Sequence, residues 1–489
     1  MQDKQSLRWQ KIREQGRWHS IVLVGALGWG GTFCGVFAGL ELWTGAARAF
    51  LPAALNAAPL GLIAGAIYGW SRWGYAQWYG VRERRSQAED QDHEEPKRNK
   101  MTLTPQGARP GRVILPPAML GILGGGQLGR MFAAAAKTMG YRVTELDPDV
   151  HAPAADFADV HLCKPFTDPE ALAELARTCT AITTEFENVS AESMRWLAAQ
   201  GIPVSPSGDC VAIAQDRIAE KTFIRNAGLS VAPFLAVNTA ADLEGDLSAY
   251  LPGILKTARL GYDGKGQARV KTAEEARLAL ADFKHQPCVL EKMMPLKCEV
   301  SAIVARTAAG EIAGFPVSEN EHPTGILDVS IVPARVPADV AEKAQAMAQQ
   351  LAAALGYVGV LAVEMFVLDD DSLVINEIAP RPHNSGHYTL DATLTSQFEQ
   401  QVRTMCGLTP GQADLISPVV MVNLLGDSWG MDGSEPNWAP LMAAPNAKLH
   451  LYGKREARPG RKMGHYNVLA ETADQALEQA RAIQSSLKK

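Results

Sequence analysis

The sequence predicts an α/β protein: a doubly wound parallel domain followed by an α+β body, and preceded by an apolar two-helix hairpin. Three observations carry this. A strand, a glycine turn, a helix and a second strand follow one another between Met119 and Asp147. Two later strand pairs carry charged residues inside apolar runs, at Lys256 and at Glu364 and Glu377. Before residue 100 the composition changes, and seven of the ten tryptophans lie there.

With 489 residues the chain has room for about three domains. Its net charge of -6 supplies no basic field for a nucleic-acid partner. Seven scattered cysteines without a CxxC pair read as reduced thiols, neither a disulfide framework nor a zinc site.

Residues 1–82 read as a membrane hairpin. Ser20 to Leu40 and Phe50 to Ser71 are apolar runs of spanning length, the second weakened by Pro52, Asn56 and Pro59. Trp18, Trp43, Trp70, Trp73 and Trp78 stand near their ends, as an interfacial belt would. Gly31, Gly35 and Gly39, and then Gly61, Gly65 and Gly69, give each run a small-residue stripe suited to close helix packing in lipid. Lys11, Arg13 and Arg17 precede the hairpin; Arg82, Arg84 and Arg85 follow it, and only Arg48 lies between. That asymmetry predicts both ends in the cytoplasm, with the catalytic part tethered to the inner face of a membrane through residues 18–78. A buried soluble hairpin is the alternative, and a signal peptide fits poorly. Residues 83–118 read as a disordered linker, almost purely polar to Lys100 and then rich in Pro and Gly. A compact enzyme could begin at Met101, so the first 100 residues read as a natural fusion or as an upstream frame joined by start choice.

The body begins with MLGILGGGQLG, Met119 to Gly129. A strand runs into glycines, a helical pattern follows from Gln127, and YRVTELD forms a second strand ending at Asp147. Gly124, Gly126 and Gly129 fit the G-x-G-x-x-G spacing, and Asp147 stands about where a ribose-binding acid would. That motif alone is weak: it says only that amides at a helix N-terminus can receive an anion or a close ligand. AITTEFENVS (Ala181 to Ser190) is a strand delivering Glu185, Glu187 and Asn188 to its carboxyl end, where open α/β sheets bind ligands. Asn188 or Ser190 also suits a helix N-cap.

GILKTARLGYDGKGQ, Gly253 to Gln267, places Lys256 on a strand before a loop with Gly261, Gly264 and Gly266. The loop can fold over phosphates that Lys256 and Lys265 neutralise, and its Asp263-Gly264 pair also suits a hairpin turn. It lacks the Walker A spacing. CVLEKMM (Cys288 to Met294) is a strand feeding a linker, with Glu299 on the next strand. Glu364 and Glu377 can sit side by side on antiparallel strands, joined by a turn at Asp369 to Asp371. Two such carboxylates are costly without a cation between them, and magnesium suits carboxylates plus phosphates. Asn376 points to the other face unless a bulge re-aims it. In Ala379 to His387, Pro380, Pro382 and Gly386 argue against a helix, so the loop reads as an anion-binding turn and not as an H-x-x-x-H metal site.

GYDGKGQ, the paired acids and PRPHNSGH together resemble the ATP-grasp superfamily. With GGGQLGRM (Gly124 to Met131), EFENV and the late RPGRKMGH (Arg458 to His465), the chain from Met119 onward resembles the N5-carboxyaminoimidazole ribonucleotide synthetase family. That resemblance implies a Rossmann-like domain at 119–216, an ATP-grasp domain at 217–405 and a small C-terminal domain at 406–489. It implies an ATP-dependent ligase that makes carboxyphosphate from bicarbonate and transfers its carbon dioxide to 5-aminoimidazole ribonucleotide, in purine biosynthesis. Magnesium would serve, or manganese, and the assembly would be a homodimer.

By the same resemblance, Arg217 and Lys256 meet ATP phosphates and Gly261, Tyr262, Asp263, Gly264, Lys265, Gly266 and Gln267 close over them. Tyr262 also reaches the ribonucleotide. Glu291, Lys292, Met293 and Met294 line the adenine, Glu299 takes the ribose, and His322 lies near the nucleotide. Glu364 and Glu377 bind the metal beside Asn376. Gln127, Leu128, Glu187, Lys454 and Arg461 hold the ribonucleotide, the last two on its phosphate. Arg381, His383, Asn384 and Ser385 serve bicarbonate or carboxyphosphate. Lys454, Arg455, Arg458, Arg461 and Lys462 also fit a solvated basic face. Two rivals remain: another ATP-grasp carboxylase or ligase with a different acceptor, and a membrane-anchored nucleotide-binding module without turnover.

Overall fold

The computed structural model describes residues 22–24, 26–27, 30–44, 49, 51, 54–55, 58–59, 62–64, 66, 68, 113–259, 266–430 and 433–487. Contacts divide the chain into two units, Met1–Thr102 and Leu103–Lys489.

In the first unit a helix runs Gly30–Trp43, 14 residues long. That is about 21 Å at the usual rise, short of a hydrocarbon core of ~30 Å. Among the described residues no helix is long and apolar enough to cross a membrane. The described residues therefore do not support the expected spanning hairpin; residues 20–21, 25 and 28–29 of its first run and most of its second run lie outside them.

In the second unit the described residues start at Val113, inside the expected linker of 83–118. Ile114 is tied down there. It is 5 % exposed, its N–H donates to Cys406 O at 2.9 Å, and its carbonyl accepts from Tyr141 Oη at 2.8 Å.

The first sheet is parallel, in the order β3-β2-β1-β4. Its strands are β1 (Met119–Leu123), β2 (Arg142–Leu146), β3 (Val160–Leu162) and β4 (Ala181–Thr184). Leu120, Ile122 and Val143 meet Phe132 of the helix Gln127–Thr138 in one core, while Leu123, Leu146 and Ile182 meet Leu175 and Leu197 in another. Apolar residues on both faces are what a doubly wound sheet requires.

An antiparallel sheet follows in the order β5-β8-β6-β7. It contains β5 (Phe234–Val237), β6 (Gly253–Thr257), β7 (Gln267–Val270) and β8 (Cys288–Lys292). Lys256 pairs with Gln267 across the β6–β7 hairpin. Residues 260–265, which include Gly261, Tyr262, Asp263, Gly264 and Lys265, lie outside the described residues.

The largest sheet has nine strands, β14-β13-β9-β11-β12-β15-β17-β16 with β10 on β9. These are β9 (Leu296–Arg306), β10 (Ile312–Gly314), β11 (Ser318–Glu321), β12 (Val329–Val332), β13 (Gly359–Leu368), β14 (Leu373–Ala379), β15 (Val419–Leu425), β16 (Ala447–Leu451) and β17 (Lys462–Leu469). Val300, Leu361 and Val363 pack on Ala344, Ala348 and Leu351 of the helix Ala338–Ala354. All seven cysteines are free.

Candidate active site

The glycine turn after β1 forms the first wall. Gly124 has a φ of +101°, which glycine adopts without steric cost. A Cβ on Gly125 would stand 1.6 Å from Glu145 Oε1. The helix start is an anion site, but the anion belongs to the protein: Gly126 and Gly129 N–H donate to Glu185 at 2.8 and 3.1 Å. Gly125 N–H donates to Asp147 Oδ2 at 2.8 Å. The dinucleotide fingerprint is therefore corrected, because Glu185 and Asp147 occupy the amides a pyrophosphate would use. Ser190, not Asn188, caps the next helix, accepting from Ser193 N–H.

Glu145 is fully buried, and neither carboxyl oxygen has a hydrogen-bond partner. Burial, reinforced by Asp147 and Glu185, pushes its pKa up to about 8.

The nucleotide side is built by the helix Arg217–Asn226 lying against β14. Arg217 Nη1 donates to Glu377 Oε2 at 2.8 Å, Lys221 Nζ to Asn376 O at 2.9 Å, and Ile378 N–H to Glu220 Oε1 at 2.7 Å. Glu364 and Glu377 are direct cross-strand partners. The register slips one residue beyond them, where Ile375 and not Asn376 faces Met365. That slip is the irregularity that can re-aim Asn376, whose Oδ1 is buried without a partner.

Glu291 departs from its expected place along an adenine linker. Its carboxylate lies 3.1 Å from Lys256 Nζ and 3.2 Å from Lys221 Nζ. Burial would raise Glu291, but the two lysines outweigh it and hold it low. Burial holds Lys256 below its usual range. Lys292 and Met293 N–H bond Pro233 O and Pro252 O as the chain leaves β8 with Met294. Glu299 Oε2 lies 3.0 Å from His322 Nδ1, the contact that raises the imidazole against the opposing effect of burial.

A cavity of about 350 Å³ opens beside the glycine turn, between it and the loop that follows β14. Of the expected substrate and bicarbonate residues, Gln127, Leu128, Glu187, Arg381, His383, Asn384, Lys454 and Arg461 line it, together with Lys462. Ser385 does not: it is fully buried, and its hydroxyl lies 2.8 Å from His383 Nδ1. Within the loop read as an anion-binding turn, Asn384–Gly386 forms a single 3-10 turn capped by His383. His387 lies against His465, ring centres 4.7 Å apart and planes tilted by 33°.

The site groups hold one another. Arg381 Nε meets Glu187 Oε2 at 2.5 Å, and His383 Nε2 meets Glu364 Oε1 at 3.2 Å. Burial works against the Glu187 carboxylate, yet Arg381 holds it below its usual range. Burial, then Arg381, pushes His383 well down. Burial and the neighbouring Glu377 push Glu364 up to about 7.

Sequence reasoning missed Lys221, Glu145 and Gln397. The helical spacing of Arg217 and Lys221 puts both on one face, a signal that could have found the first. Of the five late cations, Arg455 and Arg458 turn to His151 and Glu456 instead of the cavity.

A lysine on a strand that leads into a glycine-rich loop, together with two carboxylates paired across neighbouring strands, is the pattern of an ATP-grasp protein. The family model for the ATP-grasp domain matches residues 222–398, that for the ribonucleotide synthetase preATP-grasp domain 118–215, and that for the phosphoribosylaminoimidazole carboxylase C-terminal domain 419–479. The N5-carboxyaminoimidazole ribonucleotide synthase of Bacillus subtilis (strain 168) is 44% identical over 369 residues, 75% of this chain and 96% of its own. The Thermus thermophilus synthetase structure superimposes with a TM-score of 0.70 at 39% identity, covering 76% of this chain and 99% of its own. The Aspergillus clavatus structure, in complex with ADP and 5-aminoimidazole ribonucleotide, gives a TM-score of 0.67 at 32% identity over 76% and 98%. This chain belongs to the N5-carboxyaminoimidazole ribonucleotide synthase family.

Proposed function

We propose that the protein couples ATP hydrolysis to carboxylation of 5-aminoimidazole ribonucleotide by bicarbonate, through carboxyphosphate, in de novo purine biosynthesis. The observation that carries this is the cavity itself. Its walls combine Gln127 and Glu187 from the first domain, Arg381, His383 and Asn384 from the loop after β14, and Lys454 and Arg461 from beyond β16. Phosphate cations, a bicarbonate-sized polar loop and an acid for an amine thus share one enclosure.

Lys256 and Arg217 neutralise the triphosphate, and Gly261 to Gln267 form the lid that keeps water from the mixed anhydride. Tyr262 acts from that lid on the ribonucleotide. Lys292, Met293 and Met294 flank the adenine, and Glu299 and His322 the ribose. Glu291 acts one step back, fixing Lys256. Glu187 orients the exocyclic amine, while Lys454 and Arg461 hold the ribonucleotide phosphate. Arg381 and His383 hold bicarbonate with Asn384, and Ser385 fixes the His383 ring.

Glu364, Glu377 and the unpartnered Asn376 Oδ1 are hard oxygen donors that fit magnesium. Among the described residues no three acidic, His or Cys side chains form a metal group; nucleotide phosphates would supply the further oxygen donors that magnesium prefers. Bound there, the cation supplies charge neutralisation of the transferring phosphoryl group. The functional boundaries are 119–216, 217–405 and 406–489, and the assembly is a homodimer, checked by light scattering.

The test is phosphate release with ATP, bicarbonate and 5-aminoimidazole ribonucleotide, each omitted in turn, with the carbamate followed by labelled bicarbonate. Incorporation that requires all three is expected. Equal phosphate release with an unrelated amine, and no label in the ribonucleotide, would transfer the activity to another acceptor.

A further inference from the structure

Gln397 opens the helix Gln397–Met405 and is fully buried. A buried primary amide needs partners for its oxygen and both hydrogens. Here the partners are the backbone of one residue. His383 N–H donates to Gln397 Oε1 at 2.9 Å, and Gln397 Nε2 donates to His383 O at 2.8 Å. The amide pairs with His383 as a neighbouring strand would. This double contact also fixes which way the amide points, since a flip would set oxygen against oxygen.

The same Nε2 lies 3.2 Å from His387 Nδ1. An NH2 group can only donate, so Nδ1 accepts and His387 is neutral with its proton on Nε2. Gly386 permits the approach: a Cβ there would stand 2.6 Å from Gln397 Oε1. One side chain thus grips both ends of the turn that presents His383 and Asn384 to the cavity. The turn crosses no strand of its own, and two prolines remove backbone donors from it, so a borrowed amide supplies what a sheet would.

We propose that Gln397 is a positioning residue for the bicarbonate loop, clamping His383 through its backbone and holding His387 as a neutral acceptor. This rests on the function proposed above. Gln397 does not line the 350 Å³ cavity; it acts through His383, which lines it and whose Nε2 lies 3.2 Å from Glu364 Oε1. A misplacement near 1 Å at such a group costs on the order of 100-fold.

The full chain is tested as Gln397→Met and Gln397→Glu, by phosphate release and label incorporation between pH 6 and 8. Gln397→Met keeps the volume and loses every polar contact; kcat should fall roughly 10- to 100-fold, with KM for ATP within about twofold. Gln397→Glu keeps the acceptor for His383 N–H but sets a carboxylate oxygen against His383 O and His387 Nδ1. Protonating that carboxyl or His387 restores a donor. Burial first, and then the charges of His383, His450, Lys462 and Arg381, hold the His387 imidazole well below its usual range, so it takes a proton only with such a carboxylate beside it. The activity of Gln397→Glu relative to wild type should therefore climb as pH falls. A flat ratio, or wild-type kcat in Gln397→Met, overturns the inference. Should Gln397→Met not fold, the Gln397→Glu ratio decides alone. Failure of the wild type to label the ribonucleotide would count against the proposed function and not against the clamp.

Discussion

The two sides of the active site neutralise buried charge in different ways. On the nucleotide side carboxylates meet cations: Glu291 has Lys221 and Lys256, and Glu377 has Arg217. On the ribonucleotide side Glu185 accepts from backbone amides, while burial favours the neutral form of Glu145, whose oxygens have no hydrogen-bond partner. The proposed function gives this difference a reason: on it, triphosphate and metal bring large opposite charges to one side, and the paired ions there exchange partners with them. The glycine turn must only hold its shape beside the acceptor, and amide donors do this without a mobile side chain.

The largest effect should come from Glu377→Ala, which removes a proposed metal ligand and leaves Arg217 facing the triphosphate alone. Phosphate release should fall by about 10²–10³-fold or more, with circular dichroism unchanged. Turnover near wild type would remove Glu377 from the metal site. Next, Lys221→Met takes a fully buried cation from Glu291. Denaturant unfolding should show a loss of about 3–5 kcal/mol; a loss below about 1 kcal/mol would mean the paired charges contribute little.

Glu145→Gln probes the opposite strategy. The ordinary value of 4.5 holds when the chain is unfolded, against about 8 when folded. Below the lower value both states are protonated and the stabilisation is fully present. It drains away as pH rises toward the upper value, because unfolding then releases the proton. The variant should match wild type near pH 4 and be more stable by about 2–4 kcal/mol near pH 8. A difference independent of pH would show that Glu145 is ionised in the fold. The smallest effect belongs to Arg461→Ala at the cavity rim: KM for the ribonucleotide should rise roughly tenfold with kcat little changed. An equal rise in KM for ATP would place Arg461 on the wrong side of the comparison.

The nucleotide side was the more legible in sequence. Lys256, Glu364 and Glu377 stand out because charge interrupts apolar strands, and their alternation already sets the two acids across from each other. Lys221 was missed although it shares a helix face with Arg217, since a lysine on a helix is ordinarily solvated. The turn at Gly124 was misleading when read alone, because its spacing says that amides are offered and not who accepts them. The acceptor is Glu185, 59 residues away from Gly126. The membrane hairpin came from hydropathy, which counts apolar residues whether or not they lie in one helix.

By itself, then, the sequence determined the local devices: parallel strands with glycine turns, a lysine under a hairpin, paired strand carboxylates, and a family resemblance beginning at Met119. These depend on periodicity and residue type within one element. Only the tertiary structure decided which charges cancel, where Asn376 can turn, and that Gln397 holds His383. Each of those joins residues far apart in the chain, and burial makes their partners matter: in water an unpaired amide or lysine costs nothing, whereas inside the fold it must be answered.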